Sequence, residues 1–477
     1  MTDLNIRMAR LWSQLGTSWL PFADVATAEL PMSRLLRLSL FQVSVGMAAA
    51  LLIGTLNRVM IVELHVPAWL VATMVALPLV FAPARALIGF RSDHHRSMLG
   101  WRRVPYIWMG TLIQFGGLAI MPFALLVLSG DTHGPLWVGK AGAALAFLML
   151  GAGMHTTQTV GLALATDLVP EKNQPRIVAM LCVMLMLGMI VSSVLFGWLL
   201  RDFSQVKLIQ VIQGAALATL VLNVVALWKQ EARDPDRTRP DRPEPSFTEA
   251  WRAYAQGTRA ARTLVAVALG TAAFSMQDIL LEPYGGQVLR LTVGQTTLLT
   301  AVLAAGGVLG FLLAARWLLR GVDPFRVAGL GIVIGTLAFS AVIFSAPLLS
   351  VALYASGAFA IGFGGGLFAH ATLTAAMVVA PKDQVGLALG TWSAVQATAA
   401  GVAIAVGGLL RDLVTGLVGT GVLGPALDVP ATGYLVVYHL EIALLFATLV
   451  ALGPLVRTTA RGLARPSSQY ELSQFPG

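Results

Sequence analysis

Long apolar runs separated by short polar stretches dominate this chain. A hydrocarbon core about 30 Å thick takes roughly 20 apolar residues of helix. Twelve such runs can be marked, near 36–60, 66–90, 104–129, 136–168, 175–200, 207–228, 263–288, 293–319, 325–346, 349–380, 384–410 and 431–456. The pattern predicts an all-α integral membrane protein of twelve transmembrane helices. Composition agrees: 57% hydrophobic residues, 12% charged residues and a mean hydropathy of +0.77 exclude a soluble globule. The first residues show no short apolar core followed by a small-residue cleavage site, so no removable signal peptide is expected.

The charges between the runs are distributed unevenly. With the N-terminus in the cytoplasm and the loops alternating, 25 of the 32 Lys and Arg fall on the cytoplasmic side. The opposite side keeps Arg58, Lys140, Arg201, Lys207, Arg290 and Arg411, and Arg85 lies inside a helix. This is the positive-inside asymmetry; it predicts both termini in the cytoplasm and an even number of spans. A basic balance of +9 therefore reports topology, and no nucleic-acid partner is expected. The single cysteine, Cys182, excludes an internal disulfide framework.

Between the sixth and seventh runs lies KQEARDPDRTRPDRPEPSF, rich in proline and in charges of both signs, which cannot bury enough apolar surface to fold. Ser246 and Glu249 then stand at capping-box spacing, with Phe247, Trp251 and Tyr254 on one face of a short helix expected at the membrane surface. The N-terminal segment carries Leu4, Met8, Leu11, Leu15 and Trp19 at helical spacing, as a lipid-interface anchor or a partner-docking helix would. The expected organisation is an amphipathic segment 1–35, a six-helix bundle 36–228, a linker 229–262, a second six-helix bundle 263–457 and a tail 458–477. The halves echo each other: FGWLLRDF around Arg201 and VGGLLRDL around Arg411 match at an offset of 210, and LVPEK near Pro170 answers VAPKD near Pro381. Six plus six spans related in this way resemble the major facilitator fold. Gly89, Ser92, Asp93, Gly100, Arg102 and Arg103 resemble that superfamily's signature after the second span, and Asp167, Pro170 and Arg176 its companion after the fourth. At the 211 offset, Val378 stands where Asp167 would repeat.

Four longer stretches narrow the resemblance: ARALIGFRSDHHRSMLGWRRVPYIWMG, GAGMHTTQTVGLALATDLVPEKNQPR, SMQDILLEPYGGQVL and LALGTWSAVQATAAGVAIAVGGLLRD. Together they are similar to the bacteriochlorophyll delivery family, whose members assist assembly of light-harvesting complexes in photosynthetic bacteria. The length and the Trp-bearing N-terminal segment lean toward the member serving the core antenna. The resemblance implies residence in the bacterial inner, intracytoplasmic photosynthetic membrane and bacteriochlorophyll as the bound or transported pigment, with carotenoid as a possible companion. It implies as partners antenna polypeptides, the reaction centre–antenna assembly, lipid, and the pigment-synthesis and membrane-insertion machinery.

Could these residues handle such a pigment? Its magnesium takes an axial ligand, and a neutral imidazole in an apolar groove supplies one. His155 and His370 lie within the fourth and tenth spans, among Gly151 and Gly153 and among Gly362, Gly364, Gly365 and Gly366. Small neighbours would leave room for a macrocycle; equally, they would let helices pack tightly. Gln158 beside Thr156, Thr157 and Thr159 is either a pocket donor or helix–helix glue. Asp278 and Glu282 in the seventh span stand at i and i+4, on one face of a continuous helix, as a proton carrier or as ion-pair partners of Arg58. Pro283, Gly285 and Gly286 predict a helix break just after them. In the loop between spans two and three, Asp93 is expected to anchor a charge cluster with Arg85, Arg102, Arg103, Asp167 and Arg176, leaving His94 and His95 solvated or beside lipid headgroups.

No soluble-enzyme signature is present: HExxH, GxSxG, the P-loop and paired CxxC are absent, and GFGGG at Gly362 lies inside an apolar run with no preceding strand. Three readings remain open: a non-enzymatic factor that binds and delivers bacteriochlorophyll, an alternating-access carrier of a pigment precursor or other amphiphile, and a pigment-free polypeptide scaffold.

Overall fold

The computed structural model describes residues 30–80, 88, 91–92, 101–129, 135–170, 174–231, 258–379, 385–420, 422 and 424–463. Among the described residues eleven helices are long and apolar enough to cross a membrane, and Ala68–Leu79 is a shorter apolar helix. The first half comprises α1 (Met32–Glu63), α2 (Ala68–Val80), α3 (Val104–Leu128), α4 (Leu136–Asp167), α5 (Gln174–Leu199) and α6 (Gln205–Leu227). The second half opens with α7 (Thr258–Ser275), a 3-10 turn (Met276–Ile279) and α8 (Leu281–Gln287). There follow α9 (Val293–Leu319), α10 (Pro324–Ser345), α11 (Val351–Val379), α12 (Val385–Gly419) and α13 (Thr432–Leu463). The N-terminal anchor segment, the Ser246–Glu249 capping box with its aromatic face, Arg85, Asp93, His94 and His95 lie outside the described residues.

Local chemistry accounts for several starts. Thr292 and Gln295 form a reciprocal capping box at α9, and Asp323 accepts the Phe325 amide at 2.7 Å before Pro324 opens α10. The broken seventh span corrects the sequence expectation, because the break precedes Pro283 instead of following it. Within a continuous helix, the proline ring would collide with the Ile279 carbonyl and leave it without a donor. The 3-10 turn moves Pro283 into the first turn of α8, where no intrahelical N–H is required.

The face of the bundle near the Leu227–Thr258 connection is called the linker face, and the opposite side the far face. The halves meet along two seams, α2 against α12 and α5 against α9, and at α1 against the seventh span and α9. Small residues permit the close approach: Gly408 of α12 abuts Ala68 and Ala72, and Gly197 of α5 abuts Gly294 and Leu298. Thr55 meets Thr297 at 3.3 Å, and the Trp69 amide donates to Asp412 at 2.8 Å. One apolar core runs through both halves. Among the described residues, separate clusters form toward the linker face around Leu35, Phe41 and Leu164 in the first half and around Val267 and Trp392 in the second. The halves are thus joined most tightly toward the far face.

Candidate functional site

At the linker face the start of α3 is the organising point. Arg102 Nη2 and Arg103 Nε both donate to Asp167 Oδ2, at 3.0 and 3.1 Å. Arg103, 5% exposed, also donates to Ser92 Oγ at 2.7 Å. Asp167 closes α4, where an anion opposes the helix dipole, so the two guanidinium groups offset an unfavourable position. Arg85 and Asp93 lie outside the described residues, as does the side chain of Arg176, so the structure brings together Arg102, Arg103 and Asp167 from the expected cluster. It adds one residue absent from the sequence reading. Glu231, just past α6, accepts the backbone amides of Arg102, Arg103 and Val104 at 2.8–3.1 Å. Pro105 has no amide hydrogen, and Tyr106 N–H reaches Arg103 O at 3.1 Å. The exposed donors at the start of α3 are therefore satisfied by one carboxylate.

The two histidines occupy corresponding places in the halves. Gly151 of α4 packs on Pro78 of α2, and Gly366 of α11 packs on Gly307 of α9. His155 and His370 each follow such a contact by one turn. His155 is 8% exposed. His370 is half-buried, its ring centroid lies 4.2 Å from that of Phe311, and its Nδ1 has no hydrogen-bond partner among the described residues. The glycines do not leave the open space expected for a macrocycle. Gly153 faces the backbone of Gln114, Gly362 the Leu303 carbonyl and Gly364 the Gly331 carbonyl. Facing helices occupy the volume that missing side chains would free. Gln158 lies on α4, half-buried, three residues from His155.

The acids of the seventh span do not form the expected i, i+4 pair. Asp278 is in the 3-10 turn and accepts from the side-chain amide of Gln277. Glu282, 3% exposed, is in the first turn of α8 and accepts from Thr300 of α9, its carboxylate lying against Gly54 of α1. Arg58 pairs with neither acid. Its Nη1 bonds Glu63 at 2.8 Å and its Nη2 donates to the Leu291 carbonyl at 3.2 Å. The cause is local: α1 widens to π turns over Ala50–Leu56 and Val59–Glu63, and the i to i+5 spacing of a π turn brings residues 58 and 63 to one side. Gly286 leaves the gap into which the guanidinium fits.

A third intramembrane acid, Glu441 of α13, is 0% exposed and accepts the Gln277 backbone N–H at 2.6 Å. Its signal in the sequence was plain, a carboxylate in the apolar twelfth run. Beyond it, Tyr284, Tyr354, Tyr434 and Tyr438 are all buried, with Tyr284 centred 5.4–5.6 Å from the other three rings. Arg411 lies over the Tyr434 ring at 4.7 Å and donates to Gln287 at 2.7 Å, to Tyr434 at 3.1 Å and to Asp412 at 2.6 Å.

Comparison with known proteins gives this geometry its context. The fold is that of major facilitator transporters: the nucleoside transporter NupG superposes with a TM-score of 0.65 over 88% of this chain and 99% of its own, at 15% identity. Protein PucC of Rhodovulum sulfidophilum is 60% identical over 84% of this chain and 89% of its own. A Rhodobacter capsulatus protein described as an uncharacterized protein in the puhA-bchM intergenic region is 55% identical, over 98% of this chain and 99% of its own. The family model for PUCC protein matches residues 55–460. A multi-pass membrane chain with this fold and these relatives belongs to the PucC family of light-harvesting complex assembly proteins.

Proposed function

We propose that the chain is a non-enzymatic assembly factor that takes up bacteriochlorophyll and passes it to antenna polypeptides, with the core antenna around the reaction centre as destination. Family membership supports the general role. The core-antenna destination rests on the chain's length and its Trp-bearing N-terminal segment. The observation that carries pigment binding is His370, a half-buried imidazole within an apolar helix, tilted against the Phe311 ring and with Nδ1 unpartnered among the described residues. A neutral imidazole kept from protein hydrogen bonds is suited to an axial position on magnesium. The backbone-filled glycine rows fix one limit: the macrocycle approaches His370 from a side other than the α9–α11 contact at Gly362 and Gly366. Phe311 would then hold the imidazole ring in place while the pigment is bound.

The test is the near-infrared absorption of protein purified in detergent from pigment-producing cells. His370→Ala lowers bacteriochlorophyll per protein while protein yield stays near wild type, because the change removes no buried charge. His155→Ala has the smaller effect, and the double variant the largest. Full pigment retention in the double variant overturns ligation by these histidines. Pigment-free wild-type protein overturns delivery and moves the polypeptide scaffold ahead.

A further inference from the structure

The break in the seventh span is spliced from both sides. Glu441 of α13 accepts the Gln277 N–H that a continuous helix would have given to Ala273, and Asn57 of α1 donates to the Asp278 carbonyl at 3.1 Å. What these groups leave over is one-sided. The amide nitrogen of Asn57 is committed to the carbonyls of Ile53 and Asp278; that of Gln277 is committed to Phe274 O and Asp278 Oδ1. Their oxygens therefore point elsewhere as acceptors. Asn57 Oδ1, Gln277 Oε1 and Glu441 Oε2 are all buried without a hydrogen-bond partner among the described residues. The three residues are 0%, 2% and 0% exposed. No Lys, Arg or His among the described residues pairs with Asp278 or Glu441, and Arg58 is taken by Glu63 and Leu291. Tyr438, one turn before Glu441, has its own hydroxyl unpartnered.

A structural role alone does not call for an acid at position 441, since a glutamine oxygen would accept the same N–H. A buried carboxylate costs several kcal/mol unless a positive group answers it. Carboxylate, amide and backbone oxygens around an unwound stretch of a transmembrane helix form the donor set that hard cations take. Among the described residues no three His, Cys, Asp or Glu side chains gather, which argues against a softer transition-metal centre.

We propose that this break binds a hard metal cation of the Na+, Mg2+ or Ca2+ class between Asp278, Glu441, Gln277 and Asn57. Because Asn57 belongs to the first half and the other three to the second, the ion ties the halves together near their α1 junction. The inference is independent of pigment binding.

The experiment is thermal unfolding of the full chain in detergent after chelation, with NaCl, MgCl2 or CaCl2 compared with choline chloride at matched ionic strength. At one hundred times its dissociation constant the correct ion raises Tm by about 3 °C. The shift disappears in Glu441→Gln and in Asp278→Asn, and persists in Asp202→Asn, a surface control 87% exposed at its side chain. Wild-type protein that responds to none of the three ions overturns the proposal without recourse to any variant. So does an ion shift that survives in Glu441→Gln, or stabilisation by lowered pH alone, which would make the site a proton site.

Discussion

Replacing Glu231 tests how the linker face is assembled. Its carboxylate accepts three consecutive backbone amides through four contacts of 2.8–3.1 Å, and it stands at a helix N-terminus, where an anion is favoured. A hydrogen bond to a charged group contributes about 1.5–3 kcal/mol when buried. These donors are only part-buried, so water recovers much of that in the truncated protein. A helix-capping side chain is worth about 0.5–2 kcal/mol, and the dipole adds about 0.3–1 kcal/mol. Glu231→Ala should therefore destabilise the chain by about 2–3 kcal/mol, a fall in Tm of several degrees. Glu231→Gln keeps one acceptor oxygen but turns an N–H group toward N–H donors, so it recovers less than half. Unfolding in detergent, followed by circular dichroism, measures both, and antenna yield in cells reports the functional consequence. A Glu231→Ala protein that melts with wild type would refute the reasoning, showing that water caps α3 as well as the carboxylate does.

Other outcomes follow from the same geometry. Asp167→Asn should destabilise by about 1–2 kcal/mol, because it removes the charge that faces the 5%-exposed Arg103 at 3.1 Å; thermal unfolding that matches wild type counts against the ion pair. Arg411→Lys, which removes the fork reaching Gln287, Tyr434 and Asp412, should cost about 2–3 kcal/mol. Its repeat counterpart Arg201 is exposed, and Arg201→Lys should stay within about 0.5 kcal/mol by the same assay. Gly362→Ala places a methyl group against the Leu303 carbonyl and should cost about 1–3 kcal/mol, whereas Gly214→Ala, with nothing within 4 Å, should leave Tm unchanged or slightly raised.

The hydrophobic pattern alone determined where the spans lie, since an apolar run of membrane length has one stable fate in lipid. Helix boundaries agree with the marked runs to within a few residues at most ends, and the repeat puts Arg201 just past α5 and Arg411 in the last third of α12. Polar residues inside the spans were visible for the same reason, being rare and costly. Their partners were not visible. Glu231 meets Arg102 across 129 residues, and Glu441 meets Gln277 across 164, distances over which sequence spacing carries no geometry. Spacing also misled where it assumed a regular helix: π turns gave Arg58 to Glu63, and a 3-10 turn separated Asp278 from Glu282. Glycine in the sequence marks a missing side chain, but only packing decides whether the vacancy receives a ligand or another backbone. Around His155 and His370, tertiary structure gave those vacancies to neighbouring helices, because in lipid close van der Waals packing is what holds one helix to the next.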